Sequence, residues 1–354
     1  MSSPRQGPEL AARSMQAHVL TQASVWRRLR RGPAALLVAL ALASSAAAAQ
    51  PMLPAAGNCP PATEVPTPAQ VDAARSGARD HGFLWRISKG GRSSWLYGTI
   101  HVGRLEWFFP GPGVAAALAA SDLLALELDI SDPAIVEALS KASAHRNDNS
   151  AAAPELPPAL RARLERQVAA ACMAPGALDA LHPVMRAVTL GVLAARWEGL
   201  DVSYAQEIAL LVAARGARLP LVSLETVEQQ MGVLAPADAA QARQMVEQAL
   251  DQLESGAART VAARLARTWA ESRLDELADH ERWCDCADTD EERAVLRRLN
   301  DERNPVLARR IDTLHREGRR VFAAVGALHM TGPKALTVLM AQQGYSVERI
   351  EFGR

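Results

Sequence analysis

Short apolar segments alternate with long amphipathic ones along this chain, and this alternation constrains the fold more than any other feature. The segment Asp122–Ile130 reads DLLALELDI, and its unbroken apolar run is typical of a strand buried on both faces of a parallel sheet. Leu, Met and Val recur at three- and four-residue spacing between the strands, which indicates helices. Further strands are predicted at Phe83–Ser88, Ser94–His101, Arg218–Glu225, Arg320–Leu328 and Ser346–Phe352. We therefore expect an α/β core with a large helical insertion at about residues 132–317.

The N-terminal 49 residues have the features of a secretory signal peptide. Four arginines between Arg27 and Arg31 precede an apolar run, Pro33–Ala43, and small residues with an A-x-A pattern follow at 47–49. The apolar run is about 11 residues long, shorter than the ~20 that span a bilayer as a helix. We expect cleavage after export, hence a periplasmic or secreted protein without a stable membrane span. An uncleaved anchor is the alternative, and translation could start at Met15 instead of Met1.

Removal of this segment changes the charge balance. The whole chain has 39 basic and 39 acidic residues, and residues 1–49 contain six arginines and one glutamate. The remainder therefore has 39 − 6 = 33 basic and 39 − 1 = 38 acidic residues, a net charge of −5. Because no Lys/Arg block lies outside the N-terminus, nucleic acid and anionic membrane surfaces are not expected partners. A peptide or a small-molecule substrate remains open.

Export also determines how the four cysteines are interpreted. Cys59, Cys172, Cys284 and Cys286 are an even number in an oxidising compartment, so two disulfides are expected, in any of three connectivities. Cys284 and Cys286 are too close in sequence for an easy mutual bond, so we expect each to pair with Cys59 or Cys172. A metal-binding Cys-x-Cys is the alternative. Residues 50–82 are rich in Pro and Ala and predict an irregular leader before a domain at 83–354.

Four of the predicted strands end in groups that can bind a metal or transfer a proton. These groups are His101, Glu127, Glu225 and His329. Ligands of open α/β sheets bind at the carboxyl ends of the strands, so a site is expected there. His101 and His329 also end two similar motifs, YGTIH and VGALH, which share G-x-x-H.

Two histidines and two carboxylates suit a divalent ion, with Mn, Co or Zn as the expected metal. The same residues could act without a metal, with a His or Glu as general base. Tyr97 and Asp129 could support the site, because each lies on the same strand face as one of its members. Packing for Tyr97 and a strand-end cap for Asp129 are the alternatives.

Several motifs in order resemble the TraB/GumN family. They are GTIH, SDLLALELD, GLD at 199–201, LETVEQQ at 224–230, ERN at 302–304 and VGALHMTG, and the resemblance spans about residues 83–352. That family is similar to the Tiki metal-dependent proteases and, more remotely, to erythromycin esterases and the haem-binding ChaN lipoprotein. The resemblance implies a mixed, mostly parallel sheet built from two related halves.

The resemblance also assigns residues to one cleft. The paired histidines fall on His101 and His329, the strand glutamate on Glu127, and the Glu of the LET segment on Glu225. The late Arg-Asn pair falls on Arg303 and Asn304, and Arg303 could stabilise developing negative charge. We expect an exported hydrolase of the metal-dependent peptidase type. A non-catalytic protein that binds a small molecule or haem, and a metal-free esterase-like hydrolase, are the alternatives.

Overall fold

The computed structural model describes residues 59–144 and 155–353. The predicted signal peptide at residues 1–49 lies outside the described residues. Among the described residues, no helix is long and apolar enough to cross a membrane.

Six strands form one mixed sheet, as the sequence and the family resemblance predict. Its order is β4-β3-β5-β2-β1-β6, and β4, β3, β5 and β2 run parallel to one another while β1 and β6 are antiparallel to their neighbours. The strands are Phe83–Lys89 (β1), Arg92–Thr99 (β2), Leu123–Leu126 (β3), Leu221–Ser223 (β4), Val321–Gly326 (β5) and Ser346–Ile350 (β6). The last strand, β6, lies at one edge of the sheet. Whether the sheet consists of two related halves stays a prediction.

The central strands are the most apolar ones. Every residue of β3, and every residue of β5 except Gly326, is buried, as expected of strands covered on both faces. β1 and β2 form a hairpin that turns at Gly90 and Gly91. Their φ angles of 61° and 75° are positive, and a residue with a side chain would be strained in this conformation. The predicted strands are correct in place, but β3 and β4 are shorter than predicted, so that Glu127 and Glu225 follow their strands.

Helices cover the sheet and form most of the insertion. They are Pro68–Ser76 (α1), Pro112–Ala119 (α2), Pro133–Ser143 (α3), Pro158–Ala170 (α4), Pro183–Ala194 (α5), Gln206–Ala217 (α6), Val227–Leu234 (α7), Ala239–Ser255 (α8), Ala257–Ala270 (α9), Leu274–Ala278 (α10), Asp290–Leu299 (α11), Asn304–Arg316 (α12) and Leu336–Gln342 (α13). Helices α1 to α5 begin with a proline, which suits the first turn because that turn needs no N–H donor. The stretch 236–280 is not continuously helical: Gly256, with φ 82°, ends α8.

Within the described residues, three apolar clusters stabilise this arrangement, and two of them are large. The first surrounds the sheet and includes β3, β5 and the α12 residues Leu307 and Ile311. The second lies inside the helical insertion and includes Val246 and Leu250 of α8. The insertion at about 132–317 is interrupted by β4, which returns to the sheet and brings Glu225 with it.

The leader contains a regular element that the sequence analysis did not predict. Helix α1 starts after Thr67, whose side chain accepts a hydrogen bond from the Gln70 N–H while the Gln70 side chain bonds back to Thr67. Such a reciprocal capping box stabilises a helix start in a segment rich in Pro and Ala. The region 59–82 is therefore only partly irregular.

The disulfide pairing predicted from the sequence is wrong. Cys59 pairs with Cys172, and Cys284 pairs with Cys286. Asp285, between the last two, adopts φ 55°, a left-handed conformation that Asp tolerates and that brings the flanking Cα atoms to 5.0 Å. The local backbone turn, which the spacing alone does not reveal, makes the short bridge possible.

Candidate active site

The parallel strands deliver the strand-end residues to one edge of the sheet. Thr99 of β2 is level with Gly326 of β5, so the two G-x-x-H segments leave the sheet side by side. Leu126 of β3 pairs with Ala324 on one side and Ser223 of β4 on the other. The carboxyl ends of parallel strands share an edge, and His101, Glu127, Glu225 and His329 accordingly all lie there.

His101 is the most accessible member of this group. Its side chain is 65% exposed, and its Nδ1 lies 3.1 Å from Oε1 of Glu207, in the first turn of α6. The Thr99 hydroxyl donates to the same Glu207 oxygen. The Glu207 carboxylate raises the pKa of His101 to about 9. Because Nδ1 faces Glu207, Nε2 is the ring nitrogen left for other partners.

His329 occupies the opposite environment. It lies in the 3-10 turn Ala327–Met330 after β5, its side chain is only 4% exposed, and its Nδ1 is 2.6 Å from Oδ1 of Asn304. Asn304 also donates to the backbone carbonyls of His329 and Lys334, so the amide orientation is fixed. Burial lowers the pKa of His329 to about 4, which makes it a neutral imidazole at pH 7. Its Nε2 lies 3.8 Å from Oε1 of Glu127.

Glu127 is held by donors on both of its oxygens. Oε1 accepts a 2.8 Å hydrogen bond from the Gly326 N–H, and Oε2 accepts bonds from Arg303 and from Gln230. Burial alone would raise the pKa of Glu127, but Arg303 and His329, which is protonated at the acidic pH where Glu127 titrates, lower it to about 2. Glu127 is therefore an oriented, ionised carboxylate.

Arg303 joins Glu127 to Glu225. Its Nη2 donates to both carboxylates, its Nε donates to Oε2 of Glu225 at 3.1 Å, and its Nη1 donates to the Leu299 carbonyl. The Glu225 side chain is 1% exposed, and burial raises its pKa against the opposing effect of Arg303. Most Arg303 donors are thus engaged with the protein, so its guanidinium supports the carboxylates instead of pointing freely into the cleft.

Gly326 leaves a small space where the three central side chains meet. A Cβ added there would lie 3.4 Å from Nε2 of His101, 3.5 Å from Oε1 of Glu127 and 3.7 Å from Cδ2 of His329. The backbone at Gly326 has φ −49°, so the glycine is not required by backbone conformation. Its small size instead allows these three groups to approach one another.

The donor set around Gly326 fits a divalent transition metal. Two imidazole Nε2 atoms and a carboxylate oxygen are common ligands of such ions, and both imidazoles have their Nδ1 held by an oxygen, as metal-bound histidines usually do. Two ligands each about 2.1 Å from one ion can be up to about 4.2 Å apart. The 3.8 Å between His329 and Glu127 satisfies that limit.

The possible metal ligands around Gly326 do not form a complete metal site in this arrangement. Within residues 59–144 and 155–353, no three His, Cys, Asp or Glu side chains form a ready-made metal site. Glu225 has both of its oxygens engaged by Arg303, so it supports Glu127 and is not available as a ligand. A three-ligand site therefore requires the exposed His101 to move closer to His329 and Glu127.

The structure places the two other supporting candidates away from the cleft. The Tyr97 hydroxyl donates to the His81 carbonyl, and the ring packs against Phe322 in the core, because β2 ends at Thr99 and its alternation does not continue to His101. Asp129 accepts from the Ser131 N–H and hydroxyl, which makes it a cap of the turn after β3. The contacts therefore support packing for Tyr97 and a strand-end cap for Asp129.

Two residues of the site, Glu207 and Gln230, were not predicted from the sequence. Glu207 follows the GLD segment by six positions and has no pattern that distinguishes it from any helix-start glutamate. Gln230 donates to both Glu127 and Glu225, and it closes the LETVEQQ segment. Its place in that segment was a usable signal, whereas Glu207 could only be found from its contact with His101.

Comparison with known proteins supports the resemblance that the motifs suggested. The model of the TraB/PrgY/gumN family matches residues 83–349, which include every member of the site. No curated protein and no solved structure matches the chain. The ordered motifs, the mixed sheet and this match over most of the chain show that the protein belongs to the TraB/PrgY/gumN family.

Proposed function

We propose that this protein is a hydrolase that binds one divalent transition metal between His101, Glu127 and His329. The observation that carries the proposal is the orientation of the two histidines. Each has its Nδ1 held by a side-chain oxygen, from Glu207 or from Asn304. Nε2 of His101 then lies beside Gly326, and Nε2 of His329 lies 3.8 Å from Oε1 of Glu127. Histidines that only pack a protein core have no need of two such matched supports around one carboxylate.

Each neighbouring residue has a definite task in this proposal. A bound ion would supply a Lewis acid and make a water molecule acidic enough to act as nucleophile near neutral pH. Glu127 stays ionised because the Gly326 N–H and Arg303 hold its two oxygens. Arg303 is a positioning residue, and Glu225 balances its charge. His101 is the accessible edge of the site, where a substrate would enter.

Peptides are the first substrate class to test, because the resemblance to metal-dependent proteases is the only guide to the scissile bond. Export to the periplasm or beyond is part of the proposal. The signal-like residues 1–49 support it, and so do the two disulfides, which persist in oxidising compartments.

One observation favours a second candidate, a metal-free hydrolase. His101 and Glu207 form a contact of 3.1 Å that could also orient a general base, as in nucleophile-activating dyads, and such a base would act in alkaline solution, above the raised pKa of His101. In that case His101 and Glu207 would carry the chemistry alone, and His329 would serve only to shape the cleft.

Metal content separates the two candidates. The exported protein would be purified without chelators and its metal measured by mass spectrometry, for the wild type and for a His101→Ala/His329→Ala variant. His81→Ala is the matched control, since His81 contacts the Ala270 carbonyl outside the site. Near-stoichiometric metal in the wild type and control, and little in the double variant, would support the proposal, provided that circular dichroism shows all three folded. No metal in the wild type even after incubation with Mn, Co and Zn would refute it and favour the His101–Glu207 dyad.

A further inference from the structure

The Cys284–Cys286 disulfide contributes little to holding the fold together. It joins residues only two positions apart, whereas Cys59–Cys172 closes a separation of 113 residues. A disulfide restricts the unfolded chain more when the loop that it closes is longer. A bridge this local, on a backbone that turns through the left-handed Asp285, restricts almost nothing. The reactivity of this disulfide is therefore more informative than its effect on stability.

The two sulfurs differ in accessibility. Cys284 is 1% exposed, while Cys286 is half-buried at the surface between exposed Asp285 and buried Ala287. An external thiol can therefore reach Cys286, and Cys284 is the sulfur that would leave. Accessible disulfides are the ones that exchange readily.

A buried acceptor without a partner lies one turn before the leaving sulfur. His280 is 7% exposed, its Nδ1 is 3.1 Å from the Leu277 carbonyl, and its Nε2 has no hydrogen-bond partner within the described residues. The Nδ1 contact to a carbonyl requires a proton on Nδ1, so Nε2 carries a bare lone pair. The Cys284 N–H donates to the His280 carbonyl at 2.9 Å, which places the two backbones one helical turn apart. We infer that a protonated Cys284 thiol, formed when the bridge is reduced, would be the donor that Nε2 lacks.

One surface beside the bridge is acidic. A depression of about 490 Å³ is lined by Asp285, which lies between the two cysteines, and by Asp288, Glu292 and the α8 residues Glu247 and Asp251, with no basic residue among its described lining. A second depression of about 520 Å³, which Trp283 lines, has charges of both signs, including Asp279, Arg264 and Arg282. A thiol carried on a basic peptide matches the first depression best.

We propose that Cys284–Cys286 is a thiol–disulfide exchange site for cysteine-containing peptides or proteins with basic flanking residues. The partner thiolate attacks Sγ of Cys286, the Cys284–Cys286 bond breaks, and Cys284 leaves with the electron pair and takes up a proton beside His280. A second partner thiol then attacks the partner sulfur of the mixed disulfide and releases Cys286. The partner dithiol is thereby oxidised to a disulfide, and Cys284 and Cys286 are reduced by two electrons with two protons. The exchange is independent of the hydrolase proposal.

Exchange rates measured within one molecule test the site. The full exported chain would be incubated with glutathione, quenched with an alkylating agent over time and mapped by mass spectrometry. We expect Cys284 and Cys286 to be alkylated at least tenfold faster than Cys59 and Cys172. That second bridge is a control of matched accessibility, because both of its cysteines are half-buried like Cys286, and it differs in closing a separation of 113 residues. Equal rates for the two bridges, or slower reaction at Cys284–Cys286, would overturn the proposal.

Variants test the assigned roles. Cys284→Ser should accumulate a mixed disulfide with glutathione at Cys286, while Cys286→Ser should leave the buried Cys284 largely unmodified. His280→Phe should slow reduction of Cys284–Cys286 severalfold without changing the rate at Cys59–Cys172, a difference that a general loss of folding could not produce. The reverse trapping pattern, or no effect of His280→Phe, would contradict the roles given to these residues.

The substrate class is tested with two short peptides, one with arginines and one with glutamates on both sides of a single cysteine. Reaction with the arginine peptide should be at least fivefold faster at low salt, and the two rates should converge at high salt because ions screen the acidic surface. Equal rates at low salt would refute the preference for basic partners, whatever the rate with glutathione.

Discussion

Arg303→Met tests the electrostatic support of the site most directly, because one side chain serves two buried carboxylates. The Arg303, Glu127 and Glu225 side chains are 12%, 12% and 1% exposed, so none of the three charges is well hydrated. Removing one partner of a buried ion pair typically costs about 3–5 kcal/mol, since an uncompensated charge remains. Glu127 keeps the Gly326 N–H, and both carboxylates keep Gln230, which reduces the loss. We expect a decrease in the free energy of unfolding of about 4 kcal/mol at pH 7.

A double-mutant cycle shows whether the decrease comes from the stranded charge. Glu225→Gln keeps the shape of the side chain and removes its charge, so Arg303→Met should be less harmful in that background. We expect a coupling free energy of about 2 kcal/mol between Arg303 and Glu225, within the range seen for residues in one network. Urea unfolding of the wild type, both single variants and the double variant, with equal slopes, provides the four free energies.

The effect should also depend on pH with a definite sign. Without Arg303, the pKa of the buried Glu225 rises further above the value of an unfolded chain, so the folded state takes up a proton more readily than the unfolded one. The cost of Arg303→Met should therefore shrink as the pH falls from 7 to 5. A cost below about 1 kcal/mol at pH 7, or no coupling to Glu225, would show that water already hydrates these carboxylates and would refute the reasoning.

Three further predictions concern the metal space, the buried histidine and the long disulfide. Gly326→Ala would place a methyl group 3.4 Å from Nε2 of His101 and should weaken metal binding at least tenfold by dialysis. The control variant Gly216→Ala, where an added Cβ meets nothing within 4 Å, should leave the metal affinity unchanged. Equal metal affinities of the Gly326→Ala variant and the wild type would contradict the proposed space. The pKa of His329 is about 4 in the folded protein and 6.5 in an unfolded chain, so the unfolded state binds the proton first as the pH falls. The free energy of unfolding should therefore decrease between pH 6.5 and 4 by up to about 3 kcal/mol. His329→Gln should flatten that part of the pH profile of urea unfolding, and an unchanged slope would show that other groups cause it. Cys59→Ser/Cys172→Ser should lower the free energy of unfolding by about 2–4 kcal/mol, and a loss near zero in urea would mean that the unfolded chain is compact without the bridge.

The order of strands and helices could be predicted from local patterns. The apolar run DLLALELDI specifies a buried strand whatever surrounds it, and the change from alternating to helical periodicity marks each boundary to within a few residues. The placement of His101, Glu127, Glu225 and His329 at one sheet edge also followed, because parallel strands share the edge at which they end.

The side-chain partners could not be predicted in the same way. Arg303 was expected to meet negative charge in the cleft, but its donors are engaged with Glu127, Glu225 and the Leu299 carbonyl. Asn304 was expected in the cleft from the resemblance alone, and because the helix begins at Asn304 itself, its side chain is available to hold His329. Shifts of one residue at a helix start redirect every side chain there, and periodicity does not resolve them.

Sequence by itself determined the family, the strand-end residues and the number of cysteines available for bridges. Only the tertiary structure decided that Glu207 orients His101, that Tyr97 turns into the core, and that Cys284 bonds to Cys286. The physical reason is range: strand and helix patterns arise from neighbours within a few residues, whereas a contact such as Glu207 with His101 depends on how two separate elements pack. The short disulfide depends instead on one left-handed backbone angle at Asp285, which the spacing of two cysteines does not encode.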